Sequence, residues 1–474
     1  MTESISEKQA EVSLNAASVK NHPNPTRNED DTVLAELGYK AEFKREFSMI
    51  ETIAFAFSIM GVVASVSSTF SFPLVSGGHV GMVWGWLIPC FFVMAVASSM
   101  AELVSSMPTS AGLYYFSAKL APPKYSALAS WITGWANITG QVTLCTDDHY
   151  GDCVGTTIAA IIALLVCSGD NKVSTKDAFT MFENNTGWSN NGWAFLLAFT
   201  APMWTLTGYD SAAHISEEIS GAQRAAPIAI LVGVFGTQVL GWLLFIACSF
   251  ATVSVADLLT GSLPLPMGQL FLNVLGKRGM LAIWGFIIVV QFVTGAAQGV
   301  DASRVVFAFA RDNALPGSRW WKRINGRTQT PVNAVWLVMA GAAVCGLLGF
   351  SAAALSSLAG ASVIGLYVSY ATPIFLRITS GRDKLVPGTF SLGRWYMPIG
   401  IIAVAWVSFI VVLLVFPPSQ ATTAQGMNYA VVIIMGVFFF ASISWVVSAH
   451  KWFHGPIKNV DDSTSSVEGK EPEF

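Results

Sequence analysis

Charge is scarce in this chain. Asp, Glu, Lys and Arg together make up 12% of its 474 residues, about half the share of an ordinary soluble domain. The net charge of −3 comes from a few scattered groups, and nothing in it points to nucleic acid. The six cysteines (Cys90, Cys145, Cys153, Cys167, Cys248 and Cys345) are too dispersed to form a disulfide framework. Cys145 and Cys153 are either a pair outside the membrane or two small apolar residues. The first 45 residues hold no apolar core of signal-peptide type. No nucleophile–base constellation or phosphate loop appears, and the glycine-containing GTTIAAIIALL is apolar. Cys145, Asp147, Asp148, His149, Asp152 and Cys153 crowd together, but at no spacing expected of structural zinc. An enzyme, a resident metal and a cofactor are therefore not expected.

Apolar sequence is what the chain does have. It is 53% hydrophobic, with 31 Phe and 16 Trp and a mean hydropathy of +0.55. These values imply an all-α integral membrane protein. Uncharged runs give ten spans, at 52–78, 81–101, 125–146, 187–209, 228–253, 279–300, two within 331–376 and two within 395–449. A shorter apolar segment lies at 154–168. Residues 1–47 read as a disordered tail, 48–455 as the transmembrane domain and 456–474 as a polar tail. Basic residues concentrate in 311–327 and 377–394, with Lys119 and Lys124 after the second span. The loops near 75–80, 350–354 and 418–428 have no Lys or Arg. By the positive-inside rule both termini are cytoplasmic and 147–186 lies outside. Asn184-Asn185-Thr186, a glycosylation sequon, falls in that outer loop.

Residues 192–227 carry the costly groups. A membrane helix runs there into Gly208, Tyr209, Asp210, His214, Glu217 and Glu218. Ionisable groups at that depth face a cavity, a partner or a pathway. In helical register Asp210, His214 and Glu217 share one face. Asp210 reads as pathway-lining. His214 is either a proton relay or a hydrogen-bonded structural histidine. Glu217 and Glu218 also fit a membrane boundary with Arg224 as partner, and Glu218 reads as a solvated charge there. In the first span Ser58, Gly61, Ser65, Ser67 and Ser68 signal either close helix packing or a discontinuous helix. Two glycine-interrupted spans, early and mid-chain, point to an inverted-repeat transporter. Asp301 and Arg304, at i and i+3, have the spacing of an ion pair. Arg304 and Arg311 fit either an intracellular gate or snorkelling to headgroups.

Three motifs carry a family likeness. AELVSSMPTSAGLYYFSAKLAP (101–122), TGYDSAAHISEEISGAQRAAPIAI (207–230) and ASRVVFAFARDNALP (302–316) occur in order with matching spacing. With TPVNAVW and FSLGRW they make the chain resemble the amino acid–polyamine–organocation permease superfamily, in its fungal amino acid, GABA and choline branch. The resemblance implies a five-plus-five inverted-repeat fold and alternating access, commonly coupled to protons. It implies substrate contacts at Ser58, Ile59, Met60 and Gly61 and at Thr205, Thr207, Gly208, Tyr209 and Asp210. Asn137, Gln141 and Gln291 are the further polar lining. Asp210, His214, Glu217, Asp301 and Arg304 are the candidates for proton coupling or gating. The implied partners are a small amino acid or amine, protons and the lipid bilayer, in a plasma or vacuolar membrane. The family has twelve helices against the ten counted here, and the shortfall lies at the fourth and fifth, with 154–168 as a remnant. A truncated, non-transporting pseudo-permease or regulatory membrane protein is the alternative.

Overall fold

The computed structural model describes residues 25–144, 153–169, 171–347, 352–420, 423 and 427–459. Among them the chain is helical and contains no β-strand, and an isolated parallel bridge joins Phe47 to Ile219. The principal helices are α1 (Pro25–Leu37), α2 (Met49–Met60), α3 (Val62–Thr69), α4 (Ser71–Ser106), α5 (Gly112–Leu120), α6 (Ser126–Leu144) and α7 (Cys153–Cys167). They continue with α8 (Asn191–Leu197), α9 (Thr200–Thr205), α10 (Ser211–His214), α11 (Ala222–Ala251) and α12 (Pro266–Arg311). The last four are α13 (Val332–Gly346), α14 (Ala352–Ile378), α15 (Tyr396–Leu413) and α16 (Ala430–Val447). The described parts of the expected spans lie largely on helix, as does 154–167 of the short segment; 187–209 is two short helices, and the loop expected near 75–80 is a kink at Gly78 within α4.

Among the described residues, seven helical stretches are long and apolar enough to cross a membrane: Met49–Thr69, Ser71–Ser106, Ala222–Ala251, Pro266–Arg311, Ser357–Ile378, Gly393–Leu413 and Ala430–Val447. Their outer faces are apolar. Phe91 on α4, Phe286 and Phe292 on α12, and Val432, Phe439 and Val446 on α16 are exposed, as side chains facing acyl chains would be. The first span opens on a capping box. Ser48 accepts from the Glu51 backbone N–H, and the Glu51 carboxylate accepts from the Ser48 N–H at 2.8 Å. Such a cap stabilises a helix start by about 1 kcal/mol.

Two helix pairs hold the site elements. α11 lies along α4 and α2, and α6 crosses α14. That second crossing is tight because glycines meet there. A Cβ on Gly365 would stand 2.9 Å from the Ala136 carbonyl oxygen and 3.2 Å from the Gly140 nitrogen. Small residues at such a crossing let backbones approach within dispersion range. The polar side chains of α6 and α14 are thereby brought together one turn away. α7 packs against α11, α12 and α3, so the short segment supports the first span and α12.

The tail expected to be structureless is packed over much of its described part. In 25–47, Leu34 and Tyr39 are buried, and α1 precedes a segment bonded to the core. The Asn459 N–H donates to the Gly38 carbonyl at 2.9 Å, and the Lys40 N–H to Asn459 Oδ1 at 2.7 Å. Both described tail segments therefore meet on one face, the tail face. The expected turn at 349–354 and the crowded residues from Cys145 to Asp152 lie largely outside the described residues. Among the described residues no group of His, Cys, Asp and Glu is placed to hold a metal ion.

Candidate functional site

Both glycine-interrupted spans are broken, and the breaks face each other. Gly61 separates α2 from α3 in a left-handed conformation, φ 37° and ψ 62°. Its N–H turns back to the Ser58 carbonyl at 3.1 Å, and Thr294 Oγ1 on α12 donates to the same oxygen at 3.1 Å. The second break runs from the end of α9 to the start of α10. Gly208 has φ 82° there. A Cβ at Gly208 would lie 2.5 Å from Ile59 Cγ2. This is the contact that requires glycine: the left-handed backbone disfavours a side chain, and the first span leaves no room for one. Gly208→Ala is expected to reduce uptake at least tenfold while the protein still reaches the membrane, checked by transport kinetics against surface abundance.

Asp210 closes the second break and gathers polar groups from three helices. Its Oδ1 accepts from Tyr370 Oη at 2.6 Å. Its Oδ2 accepts from Asn137 Nδ2 at 3.1 Å and Gln141 Nε2 at 3.2 Å, and stands 3.2 Å from His214 Nε2. Tyr370 Oη also receives the Gly208 N–H at 3.3 Å, and Tyr367 Oη donates to the Leu206 carbonyl at 3.1 Å. The unwound backbone is thus held by two tyrosines of α14. Gln298 Nε2 on α12 donates to Gln141 Oε1. All of these side chains are buried.

The cluster is not fully satisfied. Among the described residues, Tyr209 Oη, Asn137 Oδ1, Gln298 Oε1 and both carboxylate oxygens of Asp301 are buried without a hydrogen-bond partner. Gln141 lies beside Asp301 but outside hydrogen-bond geometry, with Asp210 and His214 as the nearby charges. Unpaired buried polar atoms are uncommon, and among the described residues these gather beside the backbone break.

Toward the tail face lie two ion pairs. Glu217 meets Arg311 Nη1 at 3.3 Å and Nη2 at 3.2 Å, and also accepts from Thr109 Oγ1 at 3.1 Å, the Ser110 N–H at 3.0 Å and Ser110 Oγ at 2.7 Å. Glu218 takes a forked contact from Arg304, Nε to Oε1 at 2.6 Å and Nη2 to Oε2 at 3.2 Å. Below them Phe47 exchanges backbone bonds with Glu218 and Ser220, and the Arg311 guanidinium lies 4.0 Å from the Tyr39 ring centroid.

The structure sorts the candidate residues. Ser58, Ile59, Met60, Gly61, Thr205, Thr207, Gly208, Tyr209 and Asp210 lie on the two breaks or their immediate flanks, and Gln141 joins Asp210. The hydroxyls of Thr205 and Thr207 are turned back onto the backbone, to the Ala201 and Trp204 carbonyls. Gln291 is half-buried, two turns before Gln298, and it is Gln298 that reaches the cluster. Heptad spacing puts both on one helix face, so choosing between them needed the depth of the site as well as the face. The spacing of Asp301 and Arg304 suggested a pair, but Arg304 turns away to Glu218. Glu217 pairs with Arg311 and not with Arg224, because the chain bends at 215–219 instead of continuing as helix. Glu218 is accordingly paired rather than merely solvated. His214 keeps its Asp210 neighbour at i, i+4 and has Nδ1 3.3 Å from the Ser110 carbonyl. Asn184 sits in a polar loop. Its Nδ2 donates to the Trp188 carbonyl at 2.8 Å and to Asn191 Oδ1 at 3.0 Å. Tyr367, Tyr370 and Gln298 were not anticipated: all three read as ordinary content of apolar helices.

Comparison with known proteins settles the family. The sequence model described as amino acid permease matches residues 47–146 and 153–439. The chain belongs to the amino acid permease family. An uncharacterised amino-acid permease of Schizosaccharomyces pombe is 36% identical, over 92% of this chain and 91% of that protein. The amino-acid permease BAT1 of Arabidopsis thaliana is 32% identical, over 92% and 98%. The GABA-specific permease of Saccharomyces cerevisiae is 34% identical, over 92% and 88%. This permease is thus a multi-pass membrane transporter of amino acids and not an enzyme. The family match breaks at 147–152, where the residue count had placed the shortfall in helices.

Proposed function

We propose that this permease moves a small amino acid or amine, GABA and choline among them, across a plasma or vacuolar membrane by proton-coupled alternating access. The observation that carries this reading is the meeting of the two backbone breaks, Gly61 and Gly208, beside the Asp210 cluster. Broken helices expose backbone N–H and C=O groups that no helix satisfies, and those groups hold the charged ends of a zwitterion. Asp210 supplies negative charge where an ammonium would sit. Asp301, His214 and Asp210 are three neighbouring titratable groups, with Asp301 free of hydrogen-bond partners, and they are the proton-carrying set. The Glu217–Arg311 and Glu218–Arg304 pairs form the inner gate, which makes the tail face cytoplasmic and both termini cytoplasmic.

The test is uptake of labelled GABA, choline and a panel of amino acids into a fungal strain lacking its own permeases. Uptake of at least one compound, stimulated by an inward proton gradient, is expected. A second reading rests on the interrupted family match at 147–152: a non-transporting regulatory relative. Protein present at the membrane with no uptake of any compound would favour it and sink the first reading.

A further inference from the structure

A cavity of about 190 Å³ opens on the tail face, away from the transport cluster. Tyr39 from the first tail segment, Tyr115 and Lys119 from α5, Ser126 at the start of α6, and His454 and Lys458 from the last segment line it. Two of these side chains are cationic and a third is an imidazole, and among the described residues no acidic side chain lines the cavity. Neither Lys119 nor Lys458 forms an ion pair among the described residues. Lys119 extends over the Tyr115 ring, 5.3 Å from its centroid. Burial, and then the charge of Lys458, hold its ammonium below the ordinary lysine range.

Like charges converging on a concave wall repel, and a bound anion relieves that repulsion. The last segment is nevertheless held against that wall. The Ile457 N–H donates to Asp312 Oδ1 at 3.0 Å, and Asn459 bonds to Gly38. A Cβ on Gly38 would stand 2.7 Å from Lys458 Cγ, so the lysine stem passes close over the Gly38 backbone. The walls offer two ammonium groups and an imidazole, donors suited to phosphate oxygens, while the Tyr39 and Tyr115 hydroxyls already donate to Asp312 and to the Leu37 carbonyl. Tyr125, half exposed beside Ser126 at the start of α6, is of the residue type enriched at membrane–water interfaces.

We propose that this cavity is a binding site for a phosphate-bearing anion, held between Lys119 on the body of the protein and Lys458 and His454 on the C-terminal segment. The anion neutralises the two lysines and pins the C-terminal segment against Asp312. The same segment contacts Gly38 and Lys40, so the occupied site also secures the stretch that carries Tyr39 against Arg311. One chemistry has two sources here, a phosphorylated lipid headgroup or a soluble phosphate.

The full chain in phosphatidylcholine nanodiscs tests the proposal without reference to transport, so its outcome is separable from the uptake assay. Hydrogen exchange of 450–459 is followed in three arms: no addition, inorganic phosphate titrated in, and nanodiscs that also contain phosphatidylinositol 4-phosphate. Slower exchange with inorganic phosphate identifies a soluble anion, and slower exchange with the lipid alone identifies a headgroup. The double variant Lys119→Gln, Lys458→Gln is expected to weaken the effective ligand at least about tenfold, the value of one charge-assisted contact. Lys119→Arg, which keeps the charge, is expected to retain it. The proposal is overturned if neither addition slows exchange in the wild-type chain, or if the double variant responds at the same concentrations.

Discussion

Asp210→Asn is expected to lower uptake about a hundredfold and to leave a residual rate that no longer varies with outside pH, with surface abundance within about twofold of wild type. The carboxylate accepts from Tyr370 at one oxygen and from Asn137 and Gln141 at the other, where His214 also stands. An amide can satisfy only one of these sides as an acceptor. Turned with its oxygen toward Asn137 and Gln141, it offers an NH₂ to Tyr370 Oη, which already receives the Gly208 N–H. The tyrosine hydroxyl then loses its acceptor in a buried setting. Losing a hydrogen bond to a charged group costs about 1.5–3 kcal/mol, and at the upper end this corresponds to the expected hundredfold. The damage falls on the unwound backbone, because Tyr370 is what ties Gly208 to α14. It also removes the negative charge beside Asp301 and His214, which is why the pH response is expected to vanish with the rate. Wild-type kinetics at every pH would show that the Asp210 carboxylate neither holds the break together nor takes part in the pH response.

How much of this was legible beforehand follows from the kind of signal each feature leaves. Length and apolarity placed the helices, because a span must satisfy its backbone internally and can do so only as helix. The break at Gly208 was legible because a glycine, an aromatic and an acid in a buried run have no ordinary packing explanation. The break at Gly61 was ambiguous, since small residues serve close packing equally well. Asn137 and Gln141 stood out as amides in an uncharged span, and both reach Asp210. Tyr367 and Tyr370 left no signal, because aromatics are common in membrane helices and only the glycine crossing of α6 and α14 aims them at the break. The Asp301–Arg304 spacing holds on the helix, but its arginine turns to Glu218. The partners of Glu217 and Glu218 were misread for a different reason. Helical spacing was applied across 214–218, where the chain bends, and so Arg311, far away in sequence, went unassigned as the partner of Glu217. The packed part of the first tail was missed because its contacts are with Arg311, Ile219 and Asn459, and local composition says nothing about distant partners.

Glu217→Gln is expected to destabilise the closed tail face by about 3–5 kcal/mol, and the double variant Glu217→Gln, Arg311→Met to recover most of that loss. The asymmetry comes from burial. Arg311 is 8% exposed and Glu217 3%, so neutralising the acid leaves a buried guanidinium whose remaining ion-pair partner, the half-buried Glu42 carboxylate, stands 3.9 Å away. Removing both charges leaves an apolar contact against Tyr39 and Phe307, which already flank the guanidinium. Headgroup snorkelling predicts no such recovery, since a lipid-facing arginine would not register the loss of Glu217. The Glu218–Arg304 pair is slightly more exposed, with side chains 13% and 7% accessible, and Glu218→Gln is expected to cost less than Glu217→Gln. Thermal unfolding of the four proteins in a double-mutant cycle gives the coupling directly, with at least about 1.5 kcal/mol expected for partners in contact. The same cycle separates a gate from a strut. If the pair is a gate, an engineered cysteine at Ala213, buried behind it, reacts faster with a polar thiol reagent applied to the tail face in both Glu217→Gln and the double variant. If the pair is only a strut, the double variant regains stability and Ala213→Cys stays protected.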